Sequence, residues 1–149
     1  MRPVSPDDEA GWRHLWQSYC DFYDVTVPEG VTDVLWHRIM DYRTPIKALV
    51  AEAETAKGET ELIGFANYLL HPYTWGTEFI CYLEDLFVVE AARRSGAGTA
   101  LISCLIQIAE ENGWPRLYWH THELNEVARS LYDRFTPVDP FVRYVVKIR

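Results

Sequence analysis

The chain has 149 residues, of which 48% are hydrophobic, and its formal net charge at pH 7 is −8. This length predicts one domain over residues 1–149 with a single core. The negative charge argues against nucleic acid as a partner and suits a cationic substrate. No apolar run approaches the roughly 18 residues of a membrane span and no signal-peptide core begins the chain, so we expect a cytoplasmic protein without a membrane partner.

The cysteines and histidines predict neither a disulfide nor a metal site. Cys20, Cys81 and Cys104 lie far apart in apolar surroundings without a C-x-x-C pair, which indicates reduced and packed thiols. His120 and His122 share one face of a predicted strand, but no third ligand is apparent. We therefore interpret these histidines as lining a cleft or as satisfied by hydrogen bonds.

The N-terminal part of the chain predicts a short strand followed by two helices. The first helix carries an aromatic stripe at spacings of three and four, which is typical of a face turned to the core: Trp12, Leu15, Trp16, Tyr19, Phe22 and Tyr23. The predicted elements are an edge strand at Arg2–Val4, a helix from an Asp7 or Asp8 cap to about Tyr23, a loop at Asp24–Thr32 and a helix at Asp33–Tyr42.

The rest of the chain alternates strands with helices. Ile46–Ala53 and Glu61–His71 predict an antiparallel pair joined at Thr55–Glu59, where Gly58 favours a hairpin. The following predicted elements are a strand at Cys81–Val89, a helix ending at Gly113, a strand at Arg116–Thr121, a helix at Leu124–Phe135 and a last strand at Phe141–Ile148. This order predicts an α/β or α+β fold with a mixed sheet and helices on both faces.

A turn with two glycines joins the strand at Cys81–Val89 to its helix. It reads Arg93-Arg94-Ser95-Gly96-Ala97-Gly98 and continues into Thr99. Glycines let backbone N–H groups approach a ligand, and a helix N-terminus adds about half a positive charge, so these residues predict a pyrophosphate-binding loop. No lysine follows Gly98 as in a Walker loop, and Leu101 replaces the third glycine of a dinucleotide fingerprint, which leaves coenzyme A. The alternative is a turn that only connects a strand to a helix.

The turn matches a known motif. Arg93, Gly96 and Gly98 fit Q/R-x-x-G-x-G/A between a strand and a helix, and the chain thereby resembles the GCN5-related N-acetyltransferase (GNAT) superfamily. The resemblance implies a central mixed, mostly antiparallel sheet, with acetyl-CoA as cosubstrate and no metal. The run from Trp12 to Tyr23 further resembles small acetyltransferases that act on polyamines or basic proteins.

A second segment, Asn125-x-x-Ala128-x-x-Leu131-Tyr132-x-x-Phe135, resembles the other coenzyme-contacting segment of the superfamily. Asn125 and Tyr132 are seven residues apart, so in a helix they lie within about 20° of one face and about 10 Å apart along the axis. We expect Asn125 to bind the coenzyme near the helix start and Tyr132 to lie near the thioester. In the alternative interpretation, Asn125 is a simple helix cap and Tyr132 a core residue.

The expected chemistry is acetyl transfer to an amine. An aliphatic amine has a reference pKa near 10.4 and must lose a proton before it attacks. Leu83-Glu84-Asp85 resembles the same stretch in spermidine/spermine-type acetyltransferases, which implies that Glu84 accepts this proton, while Asp85 in a regular strand points to the other face. Alternatively, Glu84 is a charge partner without a proton role.

The remaining catalytic tasks fall to the backbone and to one tyrosine. The backbone N–H groups of Leu86, Phe87 and Val88 are candidates to bind the thioester carbonyl oxygen. Tyr132 is the candidate acid for the leaving thiolate, and because no cysteine has an activating context we expect direct transfer in a ternary complex. Asp21, Asp24 and Glu29 near the acceptor loop favour a cationic amine.

Two further possibilities stay open from the sequence alone. The chain is alternatively a catalytically silent coenzyme A-binding module, or an acetyltransferase for aminoglycosides or other xenobiotic amines. The apolar last strand, Phe141–Ile148, predicts a homodimer, because its edge is otherwise unprotected.

Overall fold

The computed structural model describes residues 1–148 and shows a five-stranded sheet in which the strands lie in sequence order. The strands are β1 (Arg2–Pro3), β2 (Ile46–Glu54), β3 (Thr60–Pro72), β4 (Phe79–Val88) and β5 (Leu117–Trp119). The helices are α1 (Glu9–Phe22), α2 (Val31–Met40), α3 (Ala97–Glu111) and α4 (Glu126–Tyr132), with short 3₁₀ turns at Pro6–Asp8 and Glu90–Ala92.

The sheet is mixed and mostly antiparallel. The three pairs β1–β2, β2–β3 and β3–β4 are antiparallel. The pair β4–β5 is parallel, with Cys81–Leu83 opposite Leu117–Trp119. Parallel strands need a crossover, and α3 provides it between β4 and β5. The predicted fold class is confirmed.

Helices cover both faces of the sheet and form two hydrophobic cores. On one face, α1 and α2 place the fully buried Trp12 and the nearly buried Trp36 against Phe65 of β3 and Phe87 of β4. On the other face, α3 places a stripe of apolar side chains against the sheet: Ala97, Leu101, Ile102 and Leu105. Burying one such large side chain contributes roughly 1.5–3 kcal/mol, so each helix is held mainly by its apolar face.

Several element boundaries differ from the sequence prediction. Helix α2 begins at Val31 rather than Asp33, directly after Gly30, which has a φ of 78° in the left-handed region. Strand β5 ends at Trp119 and helix α4 begins at Glu126, because the turn between them extends further than the apolar pattern indicated. Leu124, expected inside the last helix, is 77% exposed.

The predicted last strand is wrong for this chain on its own. Residues 141–148 form no strand and pair with none of the strands of the described chain. The apolar alternation of this segment predicts that it can pair, but alternation carries no information about which edge it pairs with.

Candidate active site

Strand β4 contains a bulge at the predicted base. Tyr68 of β3 lies opposite Leu83 and the next residue, Asn67, lies opposite Asp85, so Glu84 has no partner. The extra residue shifts the alternation of β4 by one, which turns Asp85 toward α1, where it contacts Tyr19. The expectation that Asp85 points away from this face is therefore wrong, because the strand is not regular.

Asp85 is held by two hydrogen bonds inside the fold. The Tyr19 hydroxyl donates to Oδ1 over 2.8 Å, and Nδ2 of Asn67, a residue only 2% exposed, donates to Oδ2 over 3.0 Å. Burial raises the pKa of Asp85, and these two donors oppose that rise. Burial and then the Asp85 charge raise the pKa of Tyr19, so the tyrosine keeps its proton and stays a donor. No basic side chain in the described part of the chain forms an ion pair with Asp85.

Glu84 is the exposed member of this carboxylate pair. Burial of part of its side chain raises its pKa, the neighbouring charge of Asp85 raises it further, and Arg143 lowers it. Burial and then the Glu84 charge raise the pKa of Tyr82, so Glu84 lies close to that tyrosine. A carboxylate with a raised pKa that solvent can reach is suited to accept a proton.

A cleft opens between β4 and β5 immediately after this point. The two strands pair only as far as Leu83, so from Glu84 onward no strand of residues 1–148 pairs with the edge of β4 that faces β5. Val89 N–H donates to the Ile63 carbonyl on the other side, over 2.9 Å. Backbone groups alternate sides along a strand, so the N–H groups of Leu86 and Val88 point into the cleft.

The predicted contribution of Phe87 differs from that of its two neighbours. Its backbone follows the same alternation and faces β3, and its side chain is only 7% exposed. Its ring packs edge-on against Tyr19, with the centroids 5.9 Å apart. Phe87 thus contributes to the aromatic core beside the cleft, and its backbone does not face it.

The glycine turn presents a row of free donors at the end of this cleft. Arg94 and Gly96 have φ values of 65° and 89°, both left-handed, and they bend the chain into the start of α3. Ala97, with 5% exposure, anchors that start in the core. Within residues 1–148, five backbone N–H groups of the turn donate to neither backbone nor side chain: those of Arg94, Gly96, Ala97, Gly98 and Thr99. This arrangement fits a pyrophosphate group.

The two glycines of the motif have different physical roles. A Cβ atom on Gly96 would meet nothing within 4 Å, so the space in front of this residue is open to a ligand. A Cβ atom on Gly98 would lie 3.1 Å from Leu131 Cδ2 of α4. Gly98 therefore allows α4 to pack closely on the start of α3, which brings α4 to the cleft.

The side chains of Arg93 and Ser95 lie outside the row of donors. Arg93 Nε donates to the Val88 carbonyl over 3.3 Å, and its guanidinium lies 4.9 Å from the centre of the Phe22 ring. Arg93 thus ties the turn to β4 and α1. Ser95 is exposed on the turn, and its N–H donates to the Ala92 carbonyl.

Helix α4 carries the two residues predicted to share a face. Asn125 caps the helix, since its Oδ1 accepts from Ala128 N–H over 3.2 Å, and this occupies the oxygen but not the amide nitrogen. Tyr132 packs against Trp119 with ring centroids 5.4 Å apart. Burial raises the pKa of Tyr132 to about 12, so its hydroxyl is protonated at neutral pH and can donate a proton.

His71 and His120 contact a pair of stacked tyrosines, one on β4 and one on β5. The rings of Tyr82 and Tyr118 stack with centroids 5.0 Å apart, His120 Nδ1 lies 3.2 Å from the Tyr82 hydroxyl, and His71 Nε2 lies 2.9 Å from the Tyr118 hydroxyl. Residues 1–148 contain no group of three metal-ligating side chains and no helix long and apolar enough to cross a membrane.

Sequence reasoning missed the contact of Tyr19 with Asp85 and Asn67. Tyr19 belongs to the aromatic stripe, where its hydroxyl gave no separate signal, and Asp85 is 66 residues further along the chain. The only sequence signal was an acidic residue inside an apolar strand.

Comparison with known proteins decides the family. The profile of the acetyltransferase (GNAT) family matches residues 12–136. The chain belongs to the GNAT family. The D-amino-acid N-acetyltransferase HPA3 of Saccharomyces cerevisiae is 35% identical over 135 residues, which cover 90% of this chain and 81% of that protein.

Other GNAT proteins extend this similarity. An aminoglycoside N(6')-acetyltransferase type 1 of Klebsiella aerogenes is 27% identical over 89% of this chain and 84% of its own. The crystal structure of a probable acetyltransferase superposes with a TM-score of 0.85 at 26% identity, covering 100% of this chain and 99% of the other. This chain is therefore an N-acetyltransferase of the GNAT family, whose members use acetyl-CoA.

Proposed function

We propose that this GNAT enzyme transfers the acetyl group of acetyl-CoA to the primary amine of a cationic acceptor, a polyamine-like small molecule or a basic protein side chain. The observation that carries the proposal is the unpaired edge of β4, which joins the Glu84–Asp85 pair to the free donors of the glycine turn. The end of the cleft at Glu84 thus suits an amine, and the end at the glycine turn suits a pyrophosphate.

The acetyl donor binds along the open edge of β4. The free N–H groups of the turn bind the pyrophosphate, with Gly96 leaving room for it and the start of α3 adding a favourable dipole. Asn125 keeps its amide nitrogen free for the coenzyme chain. The N–H groups of Leu86 and Val88 donate to the thioester carbonyl oxygen and stabilise the negative charge that develops there.

The acceptor amine attacks the thioester carbonyl carbon. The ammonium group first gives one proton to Glu84, directly or through water, and the neutral nitrogen then forms the new C–N bond while the electron pair of the broken C–S bond stays on sulfur. The Tyr132 hydroxyl protonates this thiolate, and the second proton that the nitrogen loses restores the Tyr132 hydroxyl, which gives free coenzyme A and the acetylated amine.

The transfer is direct, without an acetylated enzyme. A covalent route needs an ionised cysteine, and burial raises the pKa of both the Cys20 and the Cys81 thiol. Cys104 lies half-buried on α3, packed against the hydrophobic core on that face of the sheet.

The adjacent carboxylates favour a cationic acceptor over a zwitterionic one. Within residues 1–148 no basic side chain forms an ion pair with Asp85, and the exposed Glu84 lies beside it, so the carboxylates at this point favour an ammonium-bearing molecule. HPA3 is named for D-amino acids and another relative for aminoglycosides. Both are therefore alternative acceptors to a polyamine or a lysine side chain. A silent coenzyme-binding module needs the glycine turn but neither Glu84 nor Tyr132.

An acceptor panel assayed for free thiol release from acetyl-CoA tests the proposal. The panel contains a linear diamine, a lysine peptide, an aminoglycoside and a D-amino acid without a basic side chain. We expect the highest kcat/KM with an acceptor that carries two or more positive charges. If the simple D-amino acid is the best acceptor, the cationic preference is wrong, and if acetyl-CoA binds but no amine releases thiol, the protein is a binding module.

A further inference from the structure

The carboxylate of Asp85 is bound by neutral donors only. The Tyr19 hydroxyl donates to Oδ1 over 2.8 Å and Asn67 Nδ2 donates to Oδ2 over 3.0 Å, so both oxygens accept a hydrogen bond. Within residues 1–148 no Arg, Lys or His side chain forms an ion pair with it. Acceptance at both oxygens is the pattern of the ionised form, and neutral donors leave its negative charge free to act on a neighbouring group.

The orientation of the Asn67 amide depends on the charge of Asp85. The Asn67 side chain is 2% exposed, and in the described part of the chain its Oδ1 is buried and accepts no hydrogen bond. A buried oxygen without a donor costs stability. The flipped amide would aim this oxygen at the Asp85 carboxylate, which repels it, so the anion fixes Asn67 as a donor.

The ring of Tyr19 is fixed in a position that directs its hydroxyl to Asp85. Tyr19 lies on α1, and its ring contacts four other aromatic rings with centroid distances of 5.0–5.9 Å: Trp16, Tyr23, Phe65 and Phe87. Stacked and edge-on contacts of this kind hold a ring in one orientation. The donor to Oδ1 is therefore in place before any acceptor binds.

Glu84 lies beside this fixed carboxylate and is exposed to solvent. Neighbouring side chains of a regular strand lie on opposite faces, but the bulge interrupts that alternation at Glu84. After burial, the charges of both carboxylates contribute to the raised pKa of Tyr19 and of Tyr82. The two carboxylates are thus close to the same two hydroxyl groups.

We propose that Asp85 is a positioning residue that Tyr19 and Asn67 hold as an anion, and that its charge makes Glu84 a stronger base for the acceptor ammonium. A negative charge beside a carboxyl group disfavours the loss of its proton, so Glu84 binds a proton more tightly than an isolated glutamate does. The inference rests on the proposed function, in which Glu84 is the base.

The other titratable groups around the pair do not provide this charge. Burial raises the pKa of four of them, which are therefore uncharged at neutral pH: Tyr19 and Cys20 of α1, Tyr82 of β4 and Tyr118 of β5. Arg143 is a cation that lowers the pKa of Glu84, whereas Asp85 raises it. Among the charges that act on Glu84 in the described chain, Asp85 is the one that strengthens the base.

Replacing Asp85 by asparagine separates a functional charge from a structural one. Asp85→Asn keeps the shape of the side chain, and after a flip of the Asn67 amide the new amide can donate to Asn67 Oδ1. Because a charge bound without a cation is costly to bury, we expect Asp85→Asn to melt at or above the wild-type temperature at pH 7. The control is Asp7→Asn, which removes an equal charge from an exposed aspartate of the turn at Pro6–Asp8.

Carbon-13 NMR of the side-chain carboxyl groups in the full chain measures proton binding without an acceptor. The Glu84 signal is identified by its absence in Glu84→Gln. It should titrate at lower pH in Asp85→Asn than in wild type or Asp7→Asn, because the neighbouring charge that raises its pKa is gone. Tyr19→Phe removes one donor to Asp85, so the Asp85 signal should titrate at higher pH. Tyr68→Phe, at a buried tyrosine packed in the α3 core, should leave both signals unchanged.

The pH dependence of the reaction then connects this charge to catalysis. In Asp85→Asn the acid limb of log kcat/KM should move to lower pH together with the Glu84 signal. The plateau should fall about tenfold, which is less than the roughly 10²–10⁴-fold expected for loss of the base itself.

Three other outcomes are decisive. A Glu84 signal that titrates at the same pH in wild type and Asp85→Asn overturns the proposal. An Asp85→Asn variant that loses as much activity as Glu84→Gln overturns it as well, because Asp85 is then itself the base. If the Glu84 signal moves but the acid limb does not, the effect of Asp85 on Glu84 is supported and the base role of Glu84 in the proposed function is refuted.

Discussion

Replacing Gly96 by alanine tests whether this turn binds the pyrophosphate, because the cost in stability can be measured without ligand and the loss of binding with acetyl-CoA. Gly96 has a φ of 89°, and a left-handed conformation costs a residue with a Cβ atom about 1–2 kcal/mol. For a chain of this size, 1 kcal/mol lowers the melting temperature by about 2–4 °C. We therefore expect Gly96→Ala to melt about 2–8 °C below wild type without ligand.

The rise in melting temperature that acetyl-CoA causes should show whether Gly96→Ala also weakens binding, in addition to straining the backbone. At a concentration of 100 times its dissociation constant, a ligand stabilises the native state by about 2.7 kcal/mol, and a tenfold loss of affinity leaves about 1.4 kcal/mol. The Cβ atom of Gly96→Ala enters the open space that we assign to the pyrophosphate, so the ligand-induced rise in melting temperature should fall to about half or less.

Gly58→Ala is the matched control. Gly58 has a φ of 77° in the β2–β3 hairpin, far along the chain from the turn, and the nearest atom to an added Cβ is Glu54 Oε1 at 3.8 Å. The strain is therefore similar, but the rise with acetyl-CoA should stay at the wild-type value. If thermal shift or titration calorimetry gives Gly96→Ala and Gly58→Ala the same response to acetyl-CoA, the turn does not bind the pyrophosphate.

Two other substitutions give expected outcomes at distinct positions. Tyr132→Phe should bind acetyl-CoA normally and lose about 10²-fold in kcat, or about 2.7 kcal/mol. Its control is Tyr68→Phe, which removes another buried hydroxyl whose pKa is raised to about 12, as for Tyr132, and which should keep the wild-type kcat. If Tyr132→Phe has the same kcat as wild type, Tyr132 is a core residue. Arg2 holds the pKa of Asp8 at about 2, below its usual 3.8, so Asp8→Asn should lower the free energy of unfolding by about 2 kcal/mol at pH 7. This difference should disappear in urea titrations as the pH falls from about 4 to 2, because the native carboxyl then takes up its proton; a constant difference would contradict the ion-pair explanation.

The strand, turn and helix around the glycines were predictable because their signals are local. Gly96 sits where only a left-handed residue continues the chain, and the helix after it shows a regular apolar stripe. The turn that we propose as the coenzyme loop could thus be predicted from about twenty consecutive residues. The sequence assigned Gly98 to the approach of a ligand, whereas in the structure its missing Cβ atom makes room for Leu131 of α4, a contact that depends on tertiary packing that no local pattern contains.

The bulge and the last segment were not predictable, for a common reason. Whether Asp85 faces α1 depends on the register between β3 and β4, which slips by one residue after Asn67. Whether residues 141–148 form a strand depends on which edge is free to receive them. Both are long-range choices between pairings that the sequence pattern supports equally.

The pH dependence of the reaction tests the central claim most directly, that an amine loses its proton to Glu84 at the open edge of β4. With the best acceptor, log kcat/KM of wild type should be flat between the pKa of Glu84 and that of the amine. Without the base only the neutral amine reacts, so for Glu84→Gln log kcat/KM should rise by about one for each pH unit up to about pH 10. Glu78→Gln, which changes an exposed glutamate just before β4, should follow wild type. Superimposable profiles for wild type and Glu84→Gln would contradict the account.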